Sequence, residues 1–101
     1  YITSKRSIAA RYAAFFSNGP MRHFAEPADC RSNYWLNAIL LADRTERDAF
    51  LDYANDNGVM SRPAWTLMNK LPMYSHCPAL SLEGAQWLED RLVNIPSSPI
   101  V

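Results

Sequence analysis

Tyr34-Trp-Leu-Asn-Ala-Ile-Leu-Leu41, followed after Ala42 by Asp43-Arg-Thr-Glu46, is the stretch on which the fold turns. Its first part is aromatic and aliphatic on both parities, which predicts a strand covered on both faces. A short buried helix is the competing reading, and the second part argues against it. Asp43 with Glu46 three residues on has the form of a capping box, so a helix begins there and the apolar run ends before it. That helix should run to about Asn57, with Phe50, Tyr53 and Ala54 facing inward. Gly58 ends it, because glycine takes the left-handed conformation that closes helices.

The flanking segments follow the same logic. Residues from about Ser4 to Ser17 read as a helix with Ile8, Tyr12 and Phe15 on one stripe, widened by Ala9 and Phe16. Asn18-Gly19-Pro20 stops it. Met21 to Ser32 holds Pro27 and has no period; it reads as a loop with one extended stretch. Val59 to Arg62 is predicted as a second strand, Trp65 to Lys70 as about one helical turn, and Pro72 to Leu80 as a loop. Ser81 is the expected N-cap of a third helix, about Leu82 to Val93, with Ala85, Leu88 and Leu92 on one stripe. Asn94-Ile95 makes a short last strand. The order α, β, α, β, α, β predicts an α/β (α+β) fold: a small mixed or antiparallel sheet with about three helices mainly on one face. Residues 1–101 are expected to form a single domain.

Composition narrows the partners. Half of the residues are apolar and the formal net charge is zero. Disorder is excluded, and nothing favours nucleic acid or an anionic membrane surface. The longest apolar run is far short of a membrane span, and no secretory leader is visible at Tyr1-Ile-Thr-Ser-Lys-Arg6. The chain starts without methionine, so a processed or trimmed chain is expected. Cys30 and Cys77 lie far apart without metal-ligand spacing, which reads as free thiols in the cytoplasm.

The candidate chemistry lies in Gly58-Val-Met-Ser-Arg-Pro-Ala-Trp-Thr-Leu-Met-Asn-Lys-Leu-Pro-Met-Tyr74. A helix stop and an extended piece lead into a loop pinned by Pro63 and Pro72, which suits a ligand-facing wall. Arg62 can hold a carboxylate or phosphate bidentately, and Trp65 and Tyr74 can stack on a flat or sugar ring. Each also has a plainer reading: Arg62 paired to a nearby carboxylate, Trp65 packed in the core. Arg62, Trp65, Asn69 and Tyr74 are predicted to line one cleft. Trp35 and Trp87 lie inside periodic elements and read as packed side chains. His76 beside Cys77 lacks a third orienting group and does not read as a nucleophile pair. His23 reads as a solvated loop histidine, and Glu26 and Asp29 as loop surface. Arg44, Glu46, Arg47, Asp48 and Asp52 read as a solvated helix face, and Pro96-Ser-Ser-Pro99 as a chain leaving its last strand. No catalytic and no metal-binding residues are predicted.

The wording "G-V-M-S-R-P-A-W…L-P-M-Y", closed by "R-L-V-N-I-P-S-S" at Arg91–Ser98, resembles the carboxyl-terminal end of the DegT/DnrJ/EryC1/StrS family. The resemblance covers nearly the whole chain. Lys5-Arg-Ser-Ile-Ala-Ala-Arg-Tyr12 is similar to the helix leading out of the family's large domain, and Ser32-Asn-Tyr-Trp-Leu36 to its first small-domain strand. Many relatives carry a histidine where Asn69 stands. The resemblance implies the small domain of a pyridoxal-phosphate-dependent nucleotide-sugar aminotransferase, used in surface-polysaccharide synthesis. Such a domain contributes to substrate binding and active-site closure. Catalysis in the family rests on a cofactor-bearing lysine, and neither Lys5 nor Lys70 lies in a context similar to it. No cofactor in this chain, inactivity alone and weak nucleotide-sugar binding are therefore expected. The alternative is a free-standing binding or assembly module, or a folded remnant without activity. The sheet face that the helices leave open predicts a homodimer or higher homo-oligomer.

Overall fold

The computed structural model describes residues 1–99. Helix α1 spans Ile2–Phe16, followed by strands β1 (Arg22–His23) and β2 (Asn37–Leu40). Helix α2 (Arg44–Asp56) and strand β3 (Arg62–Pro63) come next, then 3₁₀ turns at Met68–Lys70 and Pro72–Tyr74. Helix α3 (Glu83–Glu89) and strand β4 (Leu92–Ile95) complete the order. The strands form one antiparallel sheet in the order β1-β2-β4-β3. This is the small antiparallel sheet with three helices that the sequence predicts.

The centre of the sheet is the β2–β4 pair, with Asn37 opposite Ile95 and Ile39 opposite Val93. Alternation puts Ile39, Leu41, Val93 and Ile95 on one face, where they form the buried core. Tyr12 and Phe16 of α1, Met21, and Phe50 and Leu51 of α2 pack against them.

Local chemistry sets the ends of α2. Asp43 Oδ1 accepts from the Glu46 amide at 2.9 Å, and Glu46 reaches back to the Ala42 amide at 3.3 Å. The box is therefore closed one residue earlier than its usual form, in which the cap's own amide is bound. Gly58 has φ +77°, the left-handed value expected after a helix.

Several expectations need correction. The predicted strand Tyr34–Leu41 begins only at Asn37. Tyr34 sits at φ 46°, held by Ser32 Oγ, which accepts from its amide at 2.9 Å, so the chain turns where the pattern reads as extended. Trp35 therefore falls outside the strand and is exposed rather than packed. Tyr53, expected to face inward, is 73% exposed. The second strand lies at Arg62–Pro63 instead of Val59–Arg62. Ser81 caps nothing: α3 starts at Glu83, with Leu82 at its cap and no side-chain bond there. The helix also ends at Glu89, because Leu92 and Val93 pair with Leu40 and Ile39 in the sheet. Ladder pairing there outweighs the helical stripe on which Leu92 would lie.

Two polar groups read as solvated, His23 and Arg47, are buried instead, and so is Ser97. His23 lies under α1 with Nε2 3.2 Å from Asn37 Oδ1, its ring stacked between those of Tyr12 and Tyr34. Arg47 turns inward from α2 and donates to the Glu89 carbonyl at 2.5 Å. Ser97 accepts from the Asn37 amide at 2.7 Å, so the Pro96–Pro99 tail leaves its last strand, as expected, but is stitched to the start of β2. Lys5 secures the same tail from α1, donating to Ser97 O at 2.8 Å and to Trp35 O at 2.9 Å.

Candidate functional site

Two carboxylates organise the surface loops. Glu26 receives both guanidinium nitrogens of Arg6, at 3.0 and 2.6 Å, and the Ser32 amide at 2.5 Å. It fastens the 24–34 loop to α1 rather than lying free on the surface. The hydrogen bond from Arg6, with that of the Ser32 amide, lowers its pKa from 4.5 to about 2.

Glu89, the last residue of α3, is the second, and only 5% of it is exposed. Its Oε2 accepts from the Leu67 amide at 2.8 Å, while Oε1 pairs with Lys70 Nζ and takes a longer contact from Gln86 Nε2 at 3.4 Å. Burial pushes the carboxyl up, but the bonds from Lys70 and Leu67 outweigh it and leave the group below its ordinary range. Sequence reasoning missed this residue. The available signal was a charged position four residues after Ala85, beside the apolar stripe of α3.

Glu89 thus carries the segment that holds the predicted site. Asn69 and Tyr74 line one concavity of about 410 Å³ with Leu67, Met68, Cys77, Pro78, Ala79 and Leu82. A run of short-range bonds shapes this wall: Lys70 N to Leu67 O, Leu71 N to Met68 O, Tyr74 N to Leu71 O and Cys77 N to Tyr74 O. Arg62 and Trp65 stand outside that lining. Trp65 is 80% exposed. Arg62 Nη1 donates to Asn55 Oδ1 at 3.3 Å and to Ser61 O at 3.0 Å, and the residue makes no ion pair among the described residues. Its remaining donors are available to an anion. The lining offers an amide, a phenol and a thiol among apolar side chains. That set can orient a polar ligand by hydrogen bonds and stacking but supplies no acid–base pair.

The lysines do not fit pyridoxal phosphate. A Schiff base needs an amine free to attack a carbonyl. Lys5 Nζ is committed to two backbone carbonyls, and Lys70 Nζ to buried Glu89. Both cysteines are free and exposed. Among the described residues, no three His, Cys, Asp or Glu side chains come together as a metal site, and no helix is long and apolar enough to cross a membrane.

Comparison with known proteins adds the wider context. The chain is 32% identical to the GDP-perosamine synthase of Vibrio cholerae over 97% of its own length and 28% of that protein. Its fold matches the aminotransferase TlmJ from Streptoalloteichus hindustanus with a TM-score of 0.83 and 26% identity, covering 95% of this chain and 26% of TlmJ. No protein-family model matches. The chain is similar to the carboxyl-terminal part of sugar aminotransferases, as its residues implied, and spans about a quarter of the length of the relatives it matches.

Proposed function

We propose that these residues serve as the small carboxyl-terminal domain of a pyridoxal-phosphate-dependent nucleotide-sugar aminotransferase. They form one wall of its substrate site and help close it. The observation that carries this reading is the match across nearly the whole chain to a protein named for making a GDP-linked sugar, joined to the aminotransferase fold. Asn69 and Tyr74 contact the sugar or nucleotide, while Arg62 and Trp65 meet its phosphates and a ring from the exposed edge. The cofactor-bearing lysine is contributed by protein outside these residues, so the chain alone neither holds the cofactor nor transaminates. Mixing the chain with pyridoxal phosphate, reducing with borohydride and weighing the product tests this. Scattered partial labelling of lysines is the expected result. One stoichiometric adduct on Lys5 or Lys70, with turnover of a keto sugar, overturns the proposal.

Self-association of the chain belongs to the same reading. It exposes 7460 Å², against roughly 5,800 Å² for a monomeric protein of its mass. The excess of roughly 1,700 Å² exceeds the ~800 Å² that each partner buries in a standard interface. Phe24 and Leu36, each nearly half exposed, flank half-buried Ala38 on the sheet face opposite Ile39 and Val93, and a second copy covers them. Light scattering after size exclusion should show a dimer or larger species at micromolar concentration. A monomer without concentration dependence removes this part of the proposal.

A further inference from the structure

Residues 65–81 are almost all exposed, and their hydrogen bonds run mainly within the segment. Among the described residues, every hydrogen bond from this segment to the rest of the chain ends on the Glu89 carboxylate. The two attachments lie on opposite sides of the Met68–Lys70 turn. Leu67 precedes it and meets Oε2; Lys70 closes it and meets Oε1. Asn69 lies inside the clamped turn, and Tyr74 follows through the Leu71 bond. The post itself is tied to α2. Arg47 of α2 holds the Glu89 carbonyl, and Arg44 pairs with Asp90 at 3.6 Å.

We infer that Glu89 is a positioning residue: by gripping Leu67 and Lys70, its carboxylate sets where Asn69 and Tyr74 stand in the wall. It touches no ligand itself. That the wall meets a sugar nucleotide rests on the proposed function, whereas the grip does not. A charged acceptor suits the role because a carboxylate can take a backbone N–H and an ammonium at once, through separate oxygens. Glutamine keeps an acceptor for Leu67 but loses the attraction for Lys70. Alanine loses both.

Residue-resolved amide hydrogen exchange on the wild type, Glu89→Gln and Glu89→Ala tests the grip. In Glu89→Ala the Lys70, Leu71, Tyr74 and Cys77 amides should exchange about tenfold faster or more, as expected when charge-assisted bonds to a local unit are lost. The Ile39 and Val93 amides should not change. Glu89→Gln should fall between, with Leu67 still protected. Cys77 lines the concavity, whereas Cys30 lies outside it in the 24–34 loop, and both are exposed. The ratio of their alkylation rates should therefore shift in Glu89→Ala, a change that uniform destabilisation does not produce. Unchanged exchange over 67–77, or equal acceleration at Ile39 and Val93, overturns the inference. Titration with GDP-mannose, followed by ligand-observed NMR, separates the two readings. Wild type that fails to bind while the exchange pattern holds removes the substrate role and leaves the grip standing. Binding that is equal in wild type and Glu89→Ala removes the positioning role.

Discussion

The sheet centre and the 65–81 wall are built on opposite plans. Ile39 and Val93 are fully buried, paired across a ladder, and covered by side chains from α1 and α2. The wall exposes Trp65, Met68, Met73 and Leu80, and among the described residues its hydrogen bonds to the rest of the chain all end on one carboxylate. Apolar burial is non-directional and spread over many contacts, so no single contact decides the centre. A tether of two bonds concentrates control in one residue. The first plan suits a scaffold, and the second suits a surface that must adjust to a ligand.

The contrast can be broken most directly at the centre. Ile39→Ala should cost about 2–5 kcal/mol in denaturant unfolding, since it removes buried methyl groups from a side chain with no exposed surface. A cost near zero would mean that the centre is as loosely held as the wall. Acid comes next. Glu26 and Glu89 both have folded pKa values below their unfolded ones, so their contributions are complete above the usual carboxylate range and fade as pH falls. For Glu26 the loss should run from about 4.5 down to about 2. Stability measured across that window should drop, and Glu26→Gln should flatten part of the slope. A slope unchanged by that substitution would remove Glu26 from the account.

A smaller effect is expected at the helix cap. Asp43→Ala deletes the acceptor of the Glu46 amide and should cost about 1 kcal/mol, with the loss centred on the first turn of α2. The smallest belongs to the wall. Trp65→Ala should change global stability by less than about 0.5 kcal/mol, as exposed substitutions usually do, while weakening any binding of a nucleotide sugar. A large stability loss there would show that the wall is part of the scaffold after all.

The sequence by itself determined features whose cause lies between near neighbours. The Asp43–Glu46 cap and the Gly58 stop bound α2 within a residue of expectation, because their bonds and backbone angles involve residues a few positions apart. The extended run around Ala38 was legible from its apolar character, only the Asn94-Ile95 half of the last strand was expected, and the motif wording carried the likeness to sugar aminotransferases. For the candidate site, the segment was legible but its membership was not: Asn69 and Tyr74 share a concavity, while Arg62 and Trp65 lie outside it. Tertiary structure alone decided where polar groups go. Arg47 reaches the Glu89 backbone carbonyl across 42 positions while its charge pairs with neighbouring Asp48, and Lys70 meets the Glu89 carboxylate across 19. The buried Glu89 carboxylate is tolerated because Lys70 and the Leu67 amide compensate its loss of water, and no local pattern names those partners. The same reason hid His23 beside Asn37 and turned Tyr53 outward: both outcomes depend on what the rest of the chain brings to each face.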